Sequence, residues 1–340
     1  MKLGLRLGYW GAGPDPDLVE RVAAAESLGF DSIWTAEAYG SDALTPLAWL
    51  GARTERVRLG TSVMQMSART PTATAMAALT LDHLSGGRMV VGIGASGPQV
   101  VEGWYGMPYP KPLARTREYV AIMRQVFARE RVEFDGAHHQ VPLRGGAGLG
   151  KPLRPTVHPL RADLPILLAA EGPKNVALAA EIADGWQPLF YAPGDDGFYR
   201  DALAEGFDRR GDGGRPDDFE VVCMAEVIVD DDVERAADRV RPHLALYVGG
   251  MGARRANFHY DAFARLGFEA ECAQIQQAYL AGRKDEAAAA VSTPMVEAVS
   301  LVGPRPKIRE ELELWRKSLV TTLVVGGDPA TLEIIADLAS

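Results

Sequence analysis

Only two cysteines, Cys223 and Cys272, occur in 340 residues, and neither sits in a CxxC pair. That excludes a disulfide framework or a cysteine-based zinc site, and both read as small buried apolar side chains. No uninterrupted apolar run approaches the ~20 residues that span a bilayer. The opening residues, MKLGLRLGYWG, alternate in polarity without the long apolar stretch of a secretory leader. No membrane partner and a cytoplasmic location are expected. Basic residues are also scarce, 36 Lys and Arg against 45 Asp and Glu, a net charge of −9. Such a surface repels a nucleic-acid backbone, so no nucleic acid partner is expected.

Catalytic signatures are missing as well. There is no GxSxG nucleophile elbow and no HExxH metal helix. Gly8, Gly11 and Gly13 follow the first apolar stretch with the wrong spacing for a dinucleotide fingerprint, and they run into Pro14. His138 and His139 are adjacent, but neighbours in a loop seldom ligate one ion, so no metal is expected. Chemistry delegated to an organic cofactor fits a chain without an obvious catalytic cluster.

What the chain has is a regular beat. Apolar residues make up 47% and charged residues 24%, enough for a large core. Short apolar stretches at residues 3–7, 30–37, 57–63, 89–94, 164–170, 185–190, 219–229 and 320–325 read as strands. Helical patterns fill the gaps, for example 17–28, 71–84, 115–129, 173–183 and 196–209. Eight strands with crossover helices predict an α/β fold, a single-domain parallel (β/α)₈ TIM barrel over residues 1–340. Residues 131–162, rich in Gly, Pro and His, predict a loop excursion after the fourth unit. Residues 240–300 predict a mostly helical insertion before the last strand.

A barrel of this kind carries its site at the C-terminal ends of the strands. That rule selects Tyr9, Trp10, Glu37, Ser62, Gln65, Gly94, Ser96, Glu102, Glu171, Gly172 and Asp184. Two segments suit an anionic cofactor tail. Gly94, Ala95, Ser96 and Gly97 are small residues at a strand end, where backbone N–H groups approach a ligand closely. Glu171, Gly172, Pro173, Lys174 and Asn175 open a helix, whose free N–H groups and dipole favour negative charge.

Five segments then carry a resemblance: GFDSIWTAEAYGSD, RVRLGTSVMQMSARTP, LDHLSGGRMVVGIGASGPQVVEGW, LPILLAAEGPKNVALAAEIADGW and MGARRANFHYDAFARLGF. In that order they resemble the luciferase-like superfamily, and most closely its coenzyme F420-dependent oxidoreductase branch. The resemblance implies hydride transfer between the deazaflavin and a small-molecule substrate. It implies a cis peptide at Ser62–Val63, with Ser62 and Val63 backing the ring, and cofactor contacts from Ala170, the two segments above and Arg254. Glu37 becomes the catalytic candidate. Ala38 stands where the glucose-6-phosphate-oxidising relatives carry a catalytic histidine, which disfavours sugar-phosphate oxidation. Trp10 and Trp104 would frame the substrate, and a homodimer would use helices beside the early strands. Two further readings stand beside this one. They are an FMN-dependent monooxygenase of the same superfamily and a non-catalytic cofactor-binding barrel.

Overall fold

The computed structural model describes residues 1–211, 216–252 and 257–340. Eight strands form the barrel: β1 (Lys2–Gly8), β2 (Ser32–Thr35), β3 (Arg58–Thr61), β4 (Met89–Gly94), β5 (Ile166–Ala169), β6 (Gly185–Gln187), β7 (Glu220–Met224) and β8 (Thr322–Val325). Each pairs in parallel with its neighbours, β8 returns to β1, and β3 closes the ring onto β4. The crossover helices are α1 (Leu18–Ser27), α2 (Leu44–Gly51), α3 (Pro71–Ser85), α4 (Pro112–Phe127), α5 (Pro173–Ile182) and α6 (Gly197–Arg209). The expected barrel is the observed one. Cys223 and Cys272 are both buried free thiols.

Alternation along each strand sends one set of side chains out to the helices and the other into the barrel. Outward-facing Leu5, Ile33, Leu59, Val91 and Leu168 join the helices in the main core. Inside, Trp34 packs with Val90, Leu167, Val222 and Val324. Its ring is fully buried, and its Nε1 donates to Ser32 Oγ at 2.9 Å. One indole fills this layer only because its neighbours give way. A Cβ on Gly60 would lie 2.3 Å from the ring, and one on Gly4 would lie 2.8 Å from Nε1. Below, Arg58 reaches from β3 to Glu220 on β7 through two bonds of 2.7 and 2.6 Å and closes the floor.

Two expectations need correction. The seventh strand does not run from 219 to 229. It leaves the barrel after Met224, and Val227–Val229 pairs instead with Leu301–Gly303 in a separate two-stranded sheet. The apolar pattern continues because both sheets bury it; only the partner changes. The insertion therefore begins near Val227 rather than at 240. Its principal helices are α7 (Arg241–Gly250) and α8 (Glu269–Leu280), followed by α9 (Arg305–Lys317) before β8 and α10 (Pro329–Ala339) after it. The excursion at 131–162 holds a two-strand hairpin, Phe134–Asp135 with Gln140–Val141. The carboxylate of Glu118 fastens that hairpin by accepting the backbone N–H groups of Ala137, His138 and His139.

Candidate active site

Above the Trp34 layer the inward positions become small. Gly92 and Gly94 on β4 and Ala169 on β5 leave the mouth open where larger side chains would fill it. At the end of β3 the chain passes through Ser62–Val63, whose peptide is cis. The Ser62 N–H donates to Thr35 O at 2.6 Å, and Val63 O accepts from the Glu37 N–H at 3.1 Å. These bonds tie the bend to the end of β2. A Cβ on Gly94 would sit 3.0 Å from Val63 Cγ2 and 3.5 Å from the Ala169 methyl. The ends of β3, β4 and β5 thus share one flat apolar cradle.

Two buried acceptors lie in this part of the mouth. Gln187 Oε1 and Gln65 Oε1 have no hydrogen-bond partner among the described residues. A Cβ on Gly92 would come within 2.6 Å of Gln187 Oε1 and 1.8 Å of Thr61 O. Buried acceptors without donors are rare in folded proteins and point to a missing partner. A flat ring with N–H groups on its edge, laid against Val63 and Gly94, meets both requirements. The residues present fit such a group.

Glu37 lies just past the end of β2. It is buried, and its Oε1 accepts from the Gln65 N–H at 2.8 Å and from Arg69 Nη1. Its Oε2 accepts from the Ala43 N–H at 3.1 Å and from Arg69 Nη2 at 3.0 Å. All four acceptor positions of the carboxylate are used. Burial works against the Arg69 charge, but the Glu37 pair more than offsets it and holds the guanidinium above its usual pKa. The arrangement locks the loop after β2 to the turn after β3.

The other expected residues are distributed unevenly. Ala95, Ser96 and Gly97 follow β4 at the mouth, and Ser96 takes φ of +58°, a conformation costly for a non-glycine residue. Ala170 accepts from Trp186 Nε1 at 2.8 Å. Glu171 turns its carboxylate to His259 Nδ1 at 2.9 Å. Gly172 precedes α5, and Asn175 donates its N–H to Gly172 O at 3.0 Å. Lys174 is exposed in the first turn of α5. It lines an outer cleft of about 400 Å³ with Leu113, Arg117, Glu181 and Arg209. Arg254 lies outside the described residues. Asp184 belongs to the opposite end of the barrel, because it precedes β6 and accepts the Ile166 N–H at 2.8 Å. Trp104 is 63% exposed.

The strand-end rule reaches Tyr9 and Trp10 at the end of β1 but misses the polar groups of the far wall. Arg6 on β1 grips Glu226 beyond β7 with both guanidinium arms, Nη2 to Oε2 at 2.8 Å. Gly326 makes room, since a Cβ there would lie 3.1 Å from Arg6 Nη2. Burial would push the Glu226 carboxyl up, and Arg6 more than compensates, leaving it below the usual range. Over this pair stand His243 and Tyr247, one turn apart on α7, with ring centres 4.7 Å apart. Phe190 lies edge-on to Tyr247 at 5.2 Å and to His259 at 5.6 Å. Burial raises the Tyr247 phenol to about 12. The i, i+4 spacing of His243 and Tyr247 is the sequence signal of the part that α7 contributes.

A sequence profile of the luciferase-like monooxygenase family matches residues 10–322. The chain is 55% identical to the Mycobacterium tuberculosis protein named "putative coenzyme F420-dependent oxidoreductase Rv3520c", over 100% of this chain and 98% of that one. It is 30% identical to the 5,10-methylenetetrahydromethanopterin reductase of Archaeoglobus fulgidus, over 90% and 87% of the two chains. In structure it resembles the coenzyme F420-dependent tetrahydromethanopterin reductase of Methanopyrus kandleri. The TM-score is 0.80 at 23% identity, covering 98% and 97% of the chains.

Proposed function

The chain belongs to the luciferase-like monooxygenase family, and from that premise we propose that it is a coenzyme F420-dependent oxidoreductase acting on a small organic substrate. The full-length likeness to an F420-type relative carries this reading, and the cradle at the strand ends supports it. Bound F420 supplies a ring carbon that gives or takes a hydride. The chain's own residues do the rest. Val63, with Ser62 bracing it, backs one face of the ring, and Gly94 and Ala169 leave space for it. Gln187 and Gln65 offer acceptors to its edge. Ala95, Ser96, Gly97 and the start of α5, from Ala170 to Asn175, surround the route of the tail. Lys174, exposed in the first turn of α5, would offer a cation to an anionic tail. Glu37 serves this site by position, holding the bend that carries Val63.

Purified protein should bind F420 more tightly than FMN at matched ionic strength, and added salt should weaken F420 binding because part of the attraction is ionic. Lys174→Ala should cost only a few-fold in affinity, as expected for an exposed cation. Fluorescence titration of both cofactors measures each effect. A clear FMN preference with oxygen-consuming turnover would establish the monooxygenase reading instead.

We also propose a homodimer. The outer face of α3 exposes Met76 and Leu84, the latter 74% accessible, and Trp49 on α2 is exposed beside it. His83 on α3 binds His158 O at 2.7 Å, which brings the end of the excursion, with Leu160 exposed two residues on, next to α3. Apolar exposure gathered on one side marks an association surface. Sedimentation should show a dimer that Met76→Glu/Leu84→Glu converts to monomer. A monomeric wild-type protein at micromolar concentration would sink the idea.

A further inference from the structure

Moving a hydride to or from a carbon that bears oxygen also moves one proton, and among the described residues of the cradle side Glu37, the carboxylate at the end of β2, is already fully engaged. Ala38 is a methyl group. The opposite wall, built by β1, β7 and α7, is chemically richer and is left unused by the cofactor reading.

His243 is the distinctive residue there. Neither of its ring nitrogens has a hydrogen-bond partner among the described residues, and neither is sealed from solvent. Its ring is held by packing alone, against Tyr247 at 4.7 Å and edge-on to Phe190 at 6.1 Å. The groups that face it are Glu226 from the end of β7, Arg6 from β1, His259 from the helix Phe258–Phe263, and Tyr247 from its own helix. With no partner among the described residues and open to solvent, both nitrogens are available to exchange a proton with a bound hydroxyl or with water.

We propose that His243 exchanges the proton with a neutral hydroxyl or ketone substrate, with Glu226, held by Arg6, as the carboxylate that faces its ring. The proposal rests on the hydride-transfer reading above. In oxidation the substrate C–H electron pair leaves with its hydrogen for the cofactor. The O–H electrons become the second C=O bond, and the hydroxyl proton passes to the imidazole and then to water. The substrate is oxidised and the cofactor reduced; ketone reduction retraces the same path. Burial keeps the imidazole below its ordinary pKa, with Glu226 pulling against that, so the ring is a neutral base near pH 7. Glu226 then stabilises the imidazolium that forms.

The same wall selects the substrate class. The Arg6 charge is neutralised by Glu226, while Tyr9, Tyr247 and Phe190 add aromatic surface. An anionic substrate finds no free cation among these residues. A neutral, partly apolar ketone or alcohol does not need one.

The test uses full-length protein with F420 and a panel of neutral ketones and their alcohols, from cyclohexanone to acetophenone. His243→Asn should lower kcat about 100- to 1,000-fold, abolish the acidic limb of the pH profile for alcohol oxidation and leave F420 affinity within about twofold. In cofactor-free protein, NMR should show His243 titrating below an ordinary histidine, and Glu226→Gln should lower it further. Wild-type pH behaviour in His243→Asn, or a His243 titration unmoved by Glu226→Gln, overturns the assignment. No turnover of the neutral panel overturns the substrate class. Failure of the wild-type protein to bind F420 overturns the function reading, and this proposal with it.

Discussion

Gly60→Ala should destabilise the barrel by about 3 kcal/mol or more, at the upper end of what overpacking a core costs. The new methyl carbon would lie 2.3 Å from the six-membered ring of Trp34, and flexible escape is closed off. The indole is bounded by Gly4 and tethered to Ser32 through Nε1. Val90, Leu167, Val222 and Val324 occupy the rest of the layer. Relief therefore requires spreading the β2–β3 ladder itself. Trp34→Leu alone should cost a comparable ~3 kcal/mol by leaving a cavity. In that background the same Gly60→Ala should cost under about 1 kcal/mol, because the methyl group occupies vacated space. Chemical denaturation of the four proteins of the cycle measures the coupling. Strict additivity would show that Trp34 and Gly60 do not share one packing site.

Glu37→Gln should cost about 3–5 kcal/mol of stability, the range for breaking a buried ion pair by removing one partner. The carboxylate takes four donors, from Gln65 N–H, Ala43 N–H and both arms of Arg69. A glutamine keeps one oxygen and turns its NH₂ toward donors, whichever way it is flipped. Arg69, with only 23% of its side chain exposed, is then left with the more distant Asp42 carboxylate at 3.9 Å as its counter-ion. Adding Arg69→Gln should recover part of the loss, since two amides can pair where an amide and a guanidinium cannot. The loss should appear in cofactor-free protein, by denaturation. A Glu37→Gln protein of wild-type stability whose turnover collapses and whose pH profile loses a limb would make Glu37 an acid–base group and reverse this reading.

The two results bear on one function. The Trp34 layer sets the depth of the barrel floor, and the Glu37–Arg69 clamp sets the height of the Val63 bend above it. Between these two lies the space that a planar cofactor would occupy.

Much of this architecture is legible in the amino-acid sequence. The strand at 89–94 coincides with β4, and the helix expected at 173–183 is α5 within one residue. The reasons are local: apolar runs of strand length, a proline at the first turn of a helix, glycines at the ends. The cradle residues are legible too, because small residues at strand ends are visible one segment at a time. Family resemblance predicts a cis bond at Ser62–Val63, and the peptide is cis.

The far wall is not legible, for a definite physical reason. Period-two alternation says that residues 4 and 6 share a face; it does not say whether that face looks toward water or into a barrel. In isolation Arg6 reads as the polar side of an amphipathic strand. Only closure of β1 onto β8 turns that side inward and brings Arg6 to Glu226, 220 positions away in the chain. Glu37 is visible as a carboxylate at a strand end, but two of its partners are backbone N–H groups, which no side-chain pattern records. The sequence by itself determined the rhythm of elements, the barrel and the family. Tertiary structure decided which polar side chains are spent on holding the fold and which keep a free atom toward the mouth, because hydrogen-bond saturation depends on the three-dimensional neighbourhood of each group.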